Sequence, residues 1–195
     1  MKKLFLAIIA FVWVTAAHAQ TEITIGPKLG WNITNISNIS DSKNKMSVSV
    51  GGFAEFKFND YVALQPELLY SRQGFRMKDG DVKTKVRVNY LNIPILAKLY
   101  VLEGLSVDLG PQLGFALNGK SKTKVSGATV KNKITNINTC DVSFAVGLSY
   151  EYEEFMVSAR YNIGLTNVID KDDAGGNNKN HVFQLSVGYR FSGLF

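Results

Sequence analysis

Residues 155–165 read FMVSARYNIGL, a largely apolar run that carries Arg160 at its centre. Its alternate positions fall into two sets, an apolar set of Phe155, Val157, Ala159, Tyr161, Ile163 and Leu165 and a small or polar set of Met156, Ser158, Arg160, Asn162 and Gly164. Successive side chains of a β-strand point to opposite faces of the sheet. The stretch therefore predicts a strand with one apolar and one polar face, and the rest of the chain has to decide where each face points.

The same period-two pattern recurs along the chain. It predicts eight strands, at 22–33, 47–58, 62–71, 85–101, 105–117, 140–150, 155–165 and 181–191. Most runs are about 10 to 13 residues long, whereas strands of soluble domains usually have about 5 or 6 and a tilted strand that crosses a membrane needs about 9 to 11. The fourth run changes phase between Tyr90 and Leu91, close to Pro94, which predicts a β-bulge there.

The connections between the predicted strands alternate in length. Those at 59–60, 102–104 and 151–154 are short, and those at 34–46, 72–84, 118–138 and 166–179 are long. Membrane barrels have short turns on one side and long loops on the other. We therefore predict an all-β protein, an eight-stranded antiparallel up-and-down transmembrane β-barrel with its apolar face to lipid and a polar, plugged interior. The alternative is a soluble barrel of the lipocalin type, whose apolar residues would point inward.

The N-terminus has the three-part layout of a secretory signal peptide. Two lysines precede an uncharged apolar run that ends in small residues at Ala17-His18-Ala19. This run is shorter than the ~20 residues of a membrane-spanning helix. We expect residues 1–19 to be a signal peptide and residues 20–195 to form the barrel domain.

Composition narrows the function classes. Loss of residues 1–19 removes Lys2 and Lys3, so the 22 basic and 16 acidic residues become 20 and 16 and the net charge falls from +6 to +4. That balance is not typical of a nucleic-acid-binding protein. Cys140 is the one cysteine, which excludes an internal disulfide framework.

Several stretches resemble the PorT-type outer membrane β-barrel family. They are IGPKLGWNITN at 25–35, LQPELLYSRQGF at 64–75, VNYLNIPILAKLY at 88–100, GPQLGF at 110–115, SARYNIGLTNV at 158–168 and FQLSVGYRF at 183–191. The resemblance implies an eight-stranded barrel in the outer membrane of a Gram-negative bacterium, inserted by the barrel-assembly machinery. Its founding member is associated with protein secretion, which suggests an envelope or secretion-system partner. The four residues after Phe191 leave open whether Phe191 or Phe195 is the terminal aromatic read during assembly.

The polar phase of the strands predicts the content of the barrel interior. We expect a lumen network of Lys28, Glu55, Lys57, Gln65, Glu67, Lys98, Asp108, Gln112, Asp141, Arg160, Gln184 and Arg190. An eight-stranded barrel is just wide enough to be filled by side chains, and buried charges persist when they are paired. We expect Glu67 and Arg160 to form the central pair, and we expect the network to plug the barrel. The alternative is a narrow ion path.

One long loop is strongly basic. Residues 118–138 contain no acid and carry Lys120, Lys122, Lys124, Lys131 and Lys133. Clustered lysines raise the local potential, so the loop could bind phosphates of lipopolysaccharide or another anionic surface polymer. The alternative is a solvated loop without a ligand.

Catalytic and metal sites have little support in the sequence. After signal cleavage His181 is the remaining histidine, and Cys140 falls on the predicted lipid face. A hydrolase or acyltransferase needs an activated nucleophile or a general base, and loop 166–179 lacks the full calcium-loop ligand pattern despite Asp170, Asp172 and Asp173. We expect no enzyme activity, no cofactor and no metal, and an interaction, structural or envelope-transport role.

Overall fold

The computed structural model describes residues 22–36, 45–73, 76–79, 82–125, 128–134, 140–167 and 179–191. These residues form ten β-segments: β1 (Glu22–Ile36), β2 (Lys45–Lys57), β3 (Val62–Gln73), β4 (Arg76–Asp79), β5 (Val82–Leu102), β6 (Leu105–Val125), β7 (Ala128–Ile134), β8 (Cys140–Tyr152), β9 (Phe155–Asn167) and β10 (Lys179–Tyr189). No helix within these ranges is long and apolar enough to cross a membrane.

Eight of these segments close into an antiparallel barrel. The hydrogen-bonded order runs β5-β3-β2-β1-β10-β9-β8-β6, and pairing of β5 with β6 joins the two ends. Sequential neighbours pair except where β4 and β7 intervene, which is the up-and-down topology that the sequence predicts. The two remaining segments lie at the end of the barrel that carries the long connections, where β4 pairs with β5 and β7 pairs with β6.

The two faces of each barrel strand differ as the alternation predicts. On the outer face, Leu29 is 47% exposed, Val146 39% and Leu185 45%. Their neighbours Lys28, Ala145 and Gln184 are buried inside the barrel. A soluble barrel would hide these leucines and valines in its interior, so the observed orientation excludes the lipocalin-type alternative and gives the barrel a continuous apolar outer surface.

Tight turns close the opposite end of the barrel, which we call the short-turn end. Between β2 and β3, the Asn59 side-chain oxygen accepts hydrogen bonds from the backbone amides of Tyr61 and Val62, each at 2.9 Å. Between β5 and β6, Gly104 has a φ of 74°, a conformation that glycine adopts without strain. A tight turn of fixed length leaves one strand pairing available, so these turns set the register of each hairpin.

A β-bulge lies beside the predicted position, but the predicted phase change within the fourth strand is wrong. Val88, Tyr90 and Asn92 are all buried at alternate positions of β5, so this strand keeps one phase through the region. The register shift lies between Asn89 and Tyr90, where the partners are Asn118 and Ala116, and the extra residue is Leu117 of β6. The sequence pattern indicated a phase change because Tyr90 is an aromatic residue that points inward, where the barrel interior is mostly polar.

Two of the predicted loops are largely strands. The region assigned to loop 72–84 contains β4 and the start of β5, and the region assigned to loop 118–138 contains the end of β6 and all of β7. Their hydrophilic composition concealed them, because polar residues on both sides of a hairpin give no apolar alternation. The barrel is therefore continued beyond its apolar surface by a four-stranded sheet in the order β4-β5-β6-β7.

Substitution on the two faces of β8 tests this orientation. Val146→Arg places a charge on the apolar outer face and should lower the free energy of unfolding in lipid by roughly 2 to 4 kcal/mol. Ser143→Asn changes a buried interior residue of the same strand that accepts a hydrogen bond from Gln112, and we expect a much smaller loss. Urea titration of the protein folded into phosphatidylcholine vesicles measures both, and equal losses would contradict the assignment of the faces.

Candidate functional site

The middle of the barrel is occupied by a carboxylate that three strands surround. Glu67 of β3 accepts two hydrogen bonds from the Arg160 guanidinium of β9, at 2.7 and 3.0 Å. Lys28 of β1 donates to the same carboxylate at 2.8 Å, and the Gln65 side-chain amide donates at 2.7 Å. Arg160, at the centre of the stretch FMVSARYNIGL, therefore lies inside the barrel with a carboxylate partner. We call these four residues the central network.

A second ionic cluster fills the barrel at its short-turn end. Lys98 of β5 forms ion pairs with Glu55 of β2, at 2.6 Å, and with Glu151 of β8. The Tyr100 hydroxyl donates to Glu55 at 3.0 Å and to Glu151 at 2.8 Å. Arg190 adds ion pairs to both carboxylates, at 3.5 and 3.1 Å. We call these five residues the short-turn network.

The remaining interior is held by bonds between smaller polar side chains. Asp108 accepts hydrogen bonds from Ser106 at 2.9 Å and Ser149 at 2.7 Å. Asp141 accepts one from Thr166 at 2.7 Å. Gln112 donates to Ser143 at 3.2 Å, and Gln184 donates to Ser49 at 2.8 Å. The bond between Ser106 and Asp108 lies within β6, and the other four join different strands. The polar face of the barrel is therefore cross-linked along much of its length.

The structure places every residue of the expected lumen set in the interior or at its rim, and it adds others. Glu151 lies on the inward phase of β8, two residues after Ser149, and this spacing could have identified it. Tyr100, near the end of β5, also lies inside, where its hydroxyl donates to the two carboxylates of the short-turn network. The Lys57 ammonium lies 5.0 Å from the centre of the Tyr100 ring.

Charge is balanced across this interior. Among the described residues of the interior, the five basic ones are Lys28, Lys57, Lys98, Arg160 and Arg190, and the five acidic ones are Glu55, Glu67, Asp108, Asp141 and Glu151. Isolated buried charges are costly, and equal numbers in hydrogen-bond contact offset that cost. The sequence pattern missed one member of this balance, Glu151.

An apolar wedge completes the filling between the two networks. Phe53, an exception to the alternation of β2, is buried, and its ring edge lies 3.1 and 3.0 Å from where a Cβ on Gly26 and on Gly188 would be. Met156 is also buried and its sulfur lies 3.8 Å from the Lys98 ammonium. The ring occupies the space that the two glycines leave, so a side chain at either position would displace it.

The residues considered for catalysis do not come together in the described part of the chain. Cys140 is a free, exposed cysteine at the start of β8. His181 stacks on Tyr161 of the neighbouring strand with ring centres 6.1 Å apart. Asp170, Asp172 and Asp173 lie outside the described residues. Within the described ranges no group of three histidine, cysteine or acidic residues is placed to hold a metal ion.

The lysines of the predicted basic loop occupy register positions in the β6–β7 hairpin. Lys120 is opposite Lys133, and Lys122 is opposite Lys131. Lys124 is opposite Thr129. They stand on paired backbone at the long-loop end of the barrel.

These features define a class of protein. A sheet that closes on itself leaves no unpaired strand edge, and an apolar exterior around a polar interior is the arrangement of transmembrane β-barrels. The chain belongs to the outer membrane protein beta-barrel domain family, whose sequence profile matches residues 18–170. It is thus a small outer membrane β-barrel protein.

Solved structures agree at the level of the fold. Ail, the attachment invasion locus protein of Yersinia pestis, has a TM-score of 0.52 at 16% identity, over 88% of this chain and 99% of that one. Ail in complex with the heparin analogue sucrose octasulfate gives 0.52 at 17% identity with the same coverage. Neisserial surface protein A gives 0.51 at 12% identity, over 87% of this chain and 97% of that one. Comparison with curated protein sequences gives no match.

Substitutions in the central network should rank by how many charges they leave unpaired. Glu67→Gln removes the negative charge that pairs with both Lys28 and Arg160, and we expect it to lower the free energy of unfolding by about 3 to 5 kcal/mol. Arg160→Met leaves Glu67 paired with Lys28 and should cost less.

Glu103→Gln, at the exposed turn between β5 and β6, is the matched control and should change stability little. Urea-induced unfolding in lipid vesicles gives all three values. A loss for Arg160→Met as large as that for Glu67→Gln would show that the guanidinium, not the shared carboxylate, holds this network together.

Proposed function

We propose that this protein is a closed, non-conducting and non-enzymatic barrel whose role lies in interactions at the two ends of the barrel. In this proposal the interior networks plug the barrel and stabilise it, and the surfaces beyond the membrane contact partners. The resemblance to the PorT-type family extends the proposal to an accessory role in envelope transport, with a protein of the envelope or of a secretion system as partner.

The burial of the interior charges is the observation that carries this proposal. Relative exposure is 2% for Lys28, 3% for Glu67, 2% for Arg160 and 0% for Lys98. A water-filled passage would leave charged groups on its wall accessible to solvent, and these four are not. An eight-stranded barrel has an interior that side chains can fill completely, so its width supports the same conclusion.

The two networks also lie in series along the barrel axis. The central network joins β1, β3 and β9 at mid-height, and the short-turn network joins β2, β5 and β8 near the tight turns. An ion would have to pass both. A narrow channel is the second candidate function, favoured by the polar lining of the interior.

The absence of an activated nucleophile among the described residues favours a non-enzymatic role over a hydrolase or an acyltransferase. Cys140 is a free, exposed thiol with no hydrogen bond to a basic side chain among the described residues, and His181 contacts an aromatic ring. A nucleophilic enzyme requires a base within hydrogen-bond reach. Neither residue meets that requirement here.

Export and assembly form part of the same proposal. We expect residues 1–19 to be removed as a signal peptide and the barrel-assembly machinery to insert the rest, reading a terminal aromatic residue. The position of Phe191, two residues after β10, supports this role for it: its backbone amide donates to the carbonyl of Ile25 at 2.8 Å. Phe195 lies outside the described residues.

Single-channel recording in planar bilayers tests the plug. We expect the unmodified protein to give no steady conductance. Replacing Lys28, Glu67 and Arg160 together by serine should leave it closed, because the short-turn network remains. Adding serine at Lys98, Glu55 and Glu151 should open a steady conductance.

The shift in gel mobility between unheated and boiled samples shows whether each variant forms a closed barrel, and only folded variants are compared. Steady conductance by the unmodified protein would overturn the plugged barrel in favour of the narrow channel.

A further inference from the structure

We propose that the β4-β5-β6-β7 sheet binds the phosphate groups of lipopolysaccharide in the surrounding outer leaflet through one basic face. The inference rests on the proposed function, because it names the partner of an interaction surface at the long-loop end. It is carried by strand register, which brings basic residues of four segments into rows.

The rows follow directly from the pairing. The first row is Arg87, Lys120 and Lys133; the second is Arg76, Lys85, Lys122 and Lys131; the third is Lys78, Lys83, Lys124 and Thr129. Successive rows are two residues apart along each strand, so all eleven positions belong to one face of the sheet. Ten of these eleven positions are basic and the eleventh is Thr129.

The other face has a different composition. Its positions on β5 are Val82, Thr84, Val86 and Val88. In the described part of this sheet beyond the barrel, residues 76–79, 82–88, 119–125 and 128–134, the one acid is Asp79, on this face. Basic residues in a random hairpin would divide between the faces. Here the sequence spacing and the register together place the basic residues on one face. The sequence alone showed only the lysines of one predicted loop.

Neighbouring residues identify the basic face as the outer one. Asn89 and Asn118 are opposite each other and continue the basic rows toward the barrel, and the Asn89 side-chain amide donates to the Asn118 oxygen at 2.8 Å on the exposed side. Val88 and Gly119, on the other face, are buried. The basic face therefore continues the lipid-facing surface of the barrel.

The height of the basic rows above the apolar surface of the barrel indicates which ligand they meet. Leu117, 54% exposed, is the last apolar residue of β6 before this sheet. The three rows follow at roughly 10, 17 and 24 Å along β6, given about 3.4 Å per residue. Headgroups occupy the layer immediately beyond the hydrocarbon. The phosphates of lipopolysaccharide in that layer are thus beside the first rows.

The sheet also needs a counter-charge. Like charges directly opposite each other destabilise a sheet, and the register places Lys85 against Lys122 and Lys122 against Lys131. Adjacent rows are only about 7 Å apart and adjacent strands about 4.8 Å apart. Bound phosphate groups would neutralise this repulsion. Several phosphates on neighbouring lipids would match a two-dimensional array of lysines better than a single anion would.

The test uses the full-length barrel, folded in detergent micelles and titrated with bisphosphorylated lipid A, with bound lipid counted by native mass spectrometry. The test variant is Lys122→Gln with Lys131→Gln. The matched control is Lys45→Gln with Lys179→Gln, which removes the same charge at the starts of β2 and β10, where the opposite residues are Thr34 and Asn167. Lipid A without phosphates and heparin serve as comparison ligands.

We expect the test variant to bind bisphosphorylated lipid A about thirtyfold more weakly, the loss expected for two lysines near an anionic lipid surface. The control variant should stay within about twofold of the unmodified protein, and removal of the phosphates should abolish the difference. Equal losses in both variants, or equal affinity for lipid A without phosphates, would overturn the proposal. Binding of heparin without binding of lipid A would also overturn it, in favour of a soluble polyanion.

These results are separable from the test of the plug. If the unmodified protein conducts but the test and control variants still differ in affinity for lipid A, the closed interior is refuted and the basic face stands. A closed barrel whose variants bind lipid A equally would do the reverse.

Discussion

The constraint on which this structure depends is that a backbone inside lipid must satisfy all of its hydrogen bonds within the protein. Pairing of β5 with β6 meets it by joining the ends of the sheet. With eight strands the bore is narrow, so polar side chains on its wall meet one another instead of water. Closure thus forces the interior to neutralise its own charge, and Glu67 between Arg160 and Lys28 is the centre of that arrangement.

The same constraint separates the charges that stabilise the protein from those that can serve a partner. Inside, each of the two ionic networks combines residues from at least three strands, so closure of the barrel and pairing of the charges depend on each other. Beyond the membrane this requirement ends. There β5 and β6 continue with basic residues facing basic residues, an arrangement that gains nothing from the fold itself.

The structural neighbours show how little this fold restricts function. Ail and Neisserial surface protein A share the barrel with this chain at 16% and 12% identity, which establishes architecture and no more. Function on such scaffolds resides in the loops and extensions. Among the described residues of this chain, the extension with a distinctive composition is the sheet of β4 to β7.

The sequence by itself determined the strands and their two faces, because an alternation of period two, sustained over runs such as 155–165, is typical of strands with one apolar and one polar face. The structure decided that the apolar face points outward. The sequence also placed Arg160 and Glu67 on the polar face, since phase is a local property. Register is not local. Only the tertiary structure decided that Glu151 joins Lys98, that Tyr90 points inward without a phase change, and that Arg76, Lys85, Lys122 and Lys131 share one row, because each depends on pairing between strands distant in the chain.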